Sequence, residues 1–110
     1  MSIPLTYLSH EEKYRLLVSE FLSGSTDAQS FTDEYFTLWK LDRDSQWEHI
    51  SGGGAIDSQE QRLSTFLDLI FTACDSYCPE PIDSHEISAT QLRNEVATLA
   101  KQCWPNDHFA

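Results

Sequence analysis

One local signature recurs four times in this chain and points it toward helices. A helix start needs a side-chain oxygen at its N-cap, commonly with Glu or Gln three residues on. The pair satisfies backbone N–H groups that have no partner inside the helix. Ser9–Glu12, Thr26–Gln29, Asp57–Glu60 and Ser88–Gln91 all fit. Each precedes a stretch in which apolar residues recur with the helical period.

The spacing predicts a first helix over 10–23, with Tyr14, Leu17, Val18 and Phe21 in one stripe and Gly24 as its stop. A second is predicted over 27–41, carrying Phe31, Tyr35, Leu38 and Trp39 inward; Phe36 lies off this stripe and is read as a second core contact, with a partner contact as the alternative. The third, over 58–77, puts Leu63, Phe66, Leu67, Ile70, Cys74 and Tyr77 on one face, and Pro79 and Pro81 end it. The fourth, over 89–103, turns Leu92, Val96, Leu99 and Cys103 inward. The first joint, "SGST", is short, and a short joint makes two helices antiparallel neighbours. Residues 42–56 show no apolar period and hold three successive glycines, so they read as a flexible connection from which Trp47 and Ile50 tuck back onto the core. The tail from Trp104 reads as irregular. No strand pattern, repeat or low-complexity tract competes. The expected fold is all-α, an antiparallel four-helix bundle, one domain over 1–110.

Charge narrows the function. The chain has 18 acidic residues against 7 basic ones, a net charge of -11. Nucleic acid is a poor partner for such a surface, and a basic protein is a good one. No stretch has the apolar length of a membrane span, and the N-terminal residues lack the order of a signal peptide, so a cytoplasmic protein with no membrane contact is expected. Three cysteines, Cys74, Cys78 and Cys103, form no disulfide framework and read as reduced. His10, His49, His85 and His108 show no paired pattern and read as surface residues.

The acids are also concentrated. From Leu63 through Leu92 there is no Lys or Arg, while the same stretch holds Asp68, Asp75, Glu80, Asp83 and Glu86. Asp68 and Asp75 are seven apart, so on a helix they point nearly the same way, on an arc shared with Ser64 and Thr72 and opposite the core. Asp83 and Glu86 precede the fourth helix, whose positive end favours them. Asp75 and Glu80 flank the negative end of the third, where an acid costs about 0.3–1 kcal/mol. A local rule broken without compensation is a mark of function. Two prolines would hold this corner stiffly, and pre-set charges lose less entropy on binding.

The stretches "FLSGSTDAQSFTDEYFTLWK" (21–40), "FLDLIFTACDSYCPEPI" (66–82) and "ISATQLRNEVATL" (87–99) resemble the colicin-D-type immunity proteins, a group that includes immunity proteins of contact-dependent growth inhibition systems. The second stretch looks like that family's apolar helix with an acid in the last turn, an aromatic two residues on, then Pro and an acid: here Asp75, Tyr77, Pro79 and Glu80. The connection at 42–56 looks long for the family, and the tail after Cys103 is extra. The resemblance implies a helical bundle that binds a cognate ribonuclease toxin, typically a tRNase, and covers its basic active site. It places Asp75 and Glu80 against the toxin. Asp68, Tyr77, Asp83 and Glu86 complete the expected toxin-binding set.

Three rival readings meet the same residues. No phosphate loop, nucleophile motif or HExxH is present, so no enzyme, small-molecule substrate or cofactor is expected. Cys74, Cys78 and His85 lack a fourth ligand and the closer Cys spacing that zinc prefers, so no metal is expected. A generic acidic helical adaptor shares every compositional feature and is set apart by the resemblance alone.

Overall fold

In the computed structural model, which describes residues 10–53, 58–80 and 86–106, the chain forms four helices: α1 (Glu11–Ser23), α2 (Ala28–Ser51), α3 (Ser58–Ser76) and α4 (Ala89–Cys103). Among the described residues there is no strand, only an isolated backbone bridge between Tyr77 and Ile87. The fold is all-α.

The α1–α2 joint is set by one glycine and one carboxylate. Gly24 takes φ +88°, a left-handed conformation that favours a residue without Cβ. Its N–H bonds to the Phe21 carbonyl, and the N–H groups of Ser25 and Thr26 bond to that of Glu20. The N-cap of α2 is Asp27, one residue after the expected Thr26; its Oδ1 accepts from the Ser30 N–H at 2.8 Å. That hydrogen bond holds the Asp27 carboxyl below its ordinary pKa. The expected pair Ser88–Gln91 forms a complete capping box. Ser88 Oγ accepts from the Gln91 N–H at 3.2 Å, and Gln91 Oε1 accepts from the Ser88 N–H at 2.9 Å. His10 stands at the N-cap of α1 with no side-chain cap bond. Ser9, Asp57, Gly54, Pro81, Asp83, His85, His108 and the chain end from 107 lie outside the described residues.

The connection expected over 42–56 is a correction: α2 runs on to Ser51 and stops at Gly52. Its inward stripe continues from Phe31, Tyr35 and Trp39 through Asp42, fully buried, to half-buried Gln46 and His49. The period is kept, but polar residues occupy it. Trp47 and Ile50 consequently do not tuck onto the core; they are 70 % and 41 % exposed.

Asp42 fastens α2 to the start of α1. Its Oδ1 meets His10 Nδ1 at 2.7 Å, and its Oδ2 accepts from the Tyr14 hydroxyl at 2.7 Å. His10, expected at the surface, is therefore largely covered, and His49 is half-buried.

Aromatic rings fill the space between helices. Phe21 stacks on Phe31 with centroids 4.4 Å apart, Tyr14 meets Tyr35 edge-on at 5.5 Å, and Trp39 stacks on Phe71 at 3.9 Å. Half-buried Phe36 packs on Phe71 at 5.2 Å, the second core contact expected of it. Each fully buried side chain of this size contributes about 1.5–3 kcal/mol. The Tyr35 hydroxyl donates to the Leu67 carbonyl at 2.7 Å. Arg62 Nη2 donates to the carbonyls of Gln102 and Cys103, orphan acceptors at the end of α4. Trp104, from the tail read as irregular, is buried, and its indole N–H donates to Glu11. The pairings Tyr14–Asp42 and Phe21–Phe31, then Phe36–Phe71 and Trp39–Asp68, run in opposite chain order on their two helices. Antiparallel neighbours give this order.

Because the capping box closes the entry to α4, Ser88→Ala is expected to cost about 1 kcal/mol. Urea unfolding would read it as a lower midpoint at unchanged slope.

Candidate functional site

The acids singled out by charge concentration sit where α3 ends and α4 begins. This corner is tied by backbone bonds. The Ile87 N–H bonds to the Ser76 carbonyl at 2.9 Å, and the Cys78 N–H bonds to the Ile87 carbonyl at 3.0 Å. Of the two prolines expected to stiffen the corner, Pro81 lies outside the described residues; the bridge joins the chain on either side of residues 81–85. The capping box at Ser88 follows at once. Residues 77–78 and 87–88 are thus tied to the end of α3 and the start of α4.

Asp75, in the last turn of α3, is exposed, and so is Glu80. Among the described residues neither carboxylate has a hydrogen bond or a salt bridge; the Glu80 backbone carbonyl accepts from the Cys78 thiol at 3.4 Å. The last turn of α3 holds no basic residue. Two carboxylates therefore stand unneutralised beside the negative end of a helix.

The other expected contacts are placed differently. Glu86 is half-buried and accepts a hydrogen bond from the Cys78 thiol, which pushes that thiol's pKa up. Tyr77 is half-buried and packs its ring against the core. Asp68 lies on the exposed side of α3, but its Oδ1 accepts from the Trp39 indole N–H at 3.0 Å. Burial pushes the Asp68 carboxyl above its ordinary pKa, and the indole bond partly offsets this. Ser64, expected on the same outward arc, is buried and bonds to the Gln61 carbonyl.

The cysteines are free thiols. Burial pushes Cys74 up to about 12 and Cys103 up to about 11, so both stay protonated and unreactive at neutral pH. Among the described residues no group of three His, Cys, Asp or Glu side chains could hold a metal ion. No described helix is long and apolar enough to cross a membrane.

Sequence reasoning missed the surface around Trp47. With 42–56 read as a connection, Trp39, Arg43, Gln46, Trp47 and Ile50 were not seen to share one helix side. Their spacing, with steps of three and four, carried that signal.

Residues 9–102 match the family described as bacterial self-protective colicin-like immunity. No curated protein and no solved structure matches the chain. The match covers most of the 110 residues, and the chain belongs to that family.

Proposed function

We propose that this colicin-like immunity protein binds a cognate ribonuclease toxin, one that cleaves tRNA, and occupies its active site with the corner between α3 and α4. The family match supports the coarser statement, an inhibitor that neutralises a bacterial toxin. The observation that carries the finer one is the pair Asp75 and Glu80, exposed, free of cations and mounted on a bridge-tied turn.

The mechanism is substitution for phosphate. A ribonuclease that grips an RNA backbone lines its cleft with Lys, Arg or His. Carboxylates at fixed positions accept charge-assisted hydrogen bonds from the same cations. The net charge of -11 adds a long-range attraction that speeds encounter. Once docked, the carboxylates exclude substrate by occupying its binding groups, and no chemical step is required of the inhibitor. The protein acts in the cytoplasm, where the tRNA is.

The test is direct. The reading frame next to this gene is searched for a secreted toxin with a basic C-terminal domain, and that domain is purified and mixed with this protein. One equivalent is expected to stop tRNA cleavage. The association rate is expected to fall at least about tenfold as salt rises from about 0.05 to 1 M, because the screening length shrinks from over 10 Å to about 3 Å. Dissociation, governed by the docked contacts, should change far less. Cleavage that continues at full occupancy would defeat active-site blockade, and a salt-independent association rate would defeat steering.

A further inference from the structure

The late turns of α2 and the middle of α3 enclose an open pocket of about 290 Å³ lined by Trp39, Arg43, Gln46, Trp47, Ile50 and Asp68. Its polar atoms divide unevenly. Arg43 is engaged: Nε and Nη2 donate to Asp44 Oδ1 at 3.2 and 3.1 Å, and the guanidinium covers the Trp39 ring at 5.2 Å. The Trp39 indole N–H is used by Asp68 Oδ1. Two acceptor oxygens of this lining have no donor among the described residues. Gln46 Oε1 is buried from water and has no hydrogen-bond partner among the described residues. Asp68 Oδ2 takes no hydrogen bond among the described residues. Beside these two oxygens stand the exposed indole of Trp47 and the flank of Ile50.

An orphaned buried acceptor costs about 1–3 kcal/mol, so the folded chain carries an unmet demand for a donor here. Two acceptors and an aromatic face together call for a planar, multi-donor cation. A guanidinium can stack on Trp47 while donating to two oxygens at once; an ammonium is a point charge and does this less well. We propose that the pocket receives one arginine side chain of the toxin, its guanidinium between Trp47, Asp68 and Gln46 and its methylene stem along Ile50. The proposal rests on the toxin-binding reading and adds to it an anchor away from the acidic corner.

Three observations favour that occupant. Asp68 and Asp75 lie two turns apart on the same side of α3, roughly 10 Å along the axis at 1.5 Å per residue. One partner surface of ordinary size, about 800 Å², reaches both. Burial holds the Asp68 carboxyl above its ordinary pKa, a strain that an incoming cation relieves. A second copy of this chain is a poor occupant. Its four arginines are already in contact with Glu12, Asp44, the end of α4 and the Phe21 ring, and two bodies of net charge -11 repel.

N-acetyl-arginine amide is titrated into the protein while the three tryptophan indole N–H signals are followed by NMR. The Trp39 and Trp47 signals are expected to move and the Trp104 signal to stay. N-acetyl-lysine amide should act more weakly, and Trp47→Ala should abolish the movement of Trp39. Unmoved signals, equal movement of all three, or shifts that depend on protein concentration alone would overturn the pocket. With the toxin domain, Trp47→Ala is expected to weaken binding at least tenfold, mainly through faster dissociation, with the helical signal intact because this ring is solvent-facing. If the wild type binds toxin and Trp47→Ala binds equally well, the arginine anchor is wrong and the toxin reading stands. If the wild type binds no toxin, that reading falls and the anchor falls with it, whatever the amide titration shows.

Discussion

Asp42→Ala is expected to lower the unfolding free energy by about 3–5 kcal/mol, the cost of removing one member of a buried, hydrogen-bonded polar group. Asp42 is fully buried and holds two bonds of 2.7 Å, one to His10 and one to the Tyr14 hydroxyl, which is itself fully buried. Truncation removes both acceptors and leaves room that the aromatic neighbours cannot fill. The loss is large against a total of about 5–15 kcal/mol for a domain. At about 4–8 °C per kcal/mol, the thermal midpoint should drop by on the order of 15 °C or more. Tyr14→Phe should cost about 1–3 kcal/mol, since it leaves Asp42 Oδ2 without its donor while Oδ1 keeps His10. Amide exchange should localise the damage of Asp42→Ala to α1 and the second half of α2. A midpoint within two or three degrees of wild type would show that this cluster does not hold the two helices together.

The same residue explains where the sequence was legible and where it was not. Helices α1, α3 and α4 announce themselves because their inward positions are apolar and their ends carry ordinary signals. Gly24 after the Phe21 stripe and Ser88 three residues before Gln91 are examples. The second half of α2 has the same geometry without the same chemistry. Its inward positions are Asp42, Gln46 and His49, so a reading based on hydropathy loses the helix just where polar pairing takes over from apolar packing. The error spread to Trp47 and Ile50, expected to be tucked inward and found facing solvent.

At the candidate site the acids were visible as a run without cations, and Asp75 and Glu80 stand exposed as that run suggested. Which acids are free was not visible, because it depends on tertiary partners. Trp39 is 29 positions from Asp68 in the chain, and Glu86 meets Cys78 only because the bridge at Ile87 folds the turn back. Spacing along a helix places a carboxylate on a face; it does not reveal the indole waiting on the next helix.

The double substitution Asp75→Lys with Glu80→Lys is expected to abolish toxin neutralisation, with affinity falling by at least about a thousandfold. Close charge pairs across interfaces carry coupling energies of about 1.5–7 kcal/mol, and reversal turns each attraction into repulsion. Stability should move the other way. Lysine at position 75 would sit in the last turn of α3, where the helix's negative end favours a cation by about 0.3–1 kcal/mol. Neither carboxylate has a hydrogen bond or salt bridge to lose among the described residues. Weaker binding with equal or higher thermal stability is the pattern of residues kept for a partner, since a carboxylate kept for the fold would lose both. Asp68→Lys supplies the contrast, because it also breaks the bond to Trp39 and should reduce stability as well as binding. Measured by calorimetric titration against the toxin domain and by thermal unfolding of the free protein, an affinity within threefold of wild type for the double variant would remove the corner from the interface.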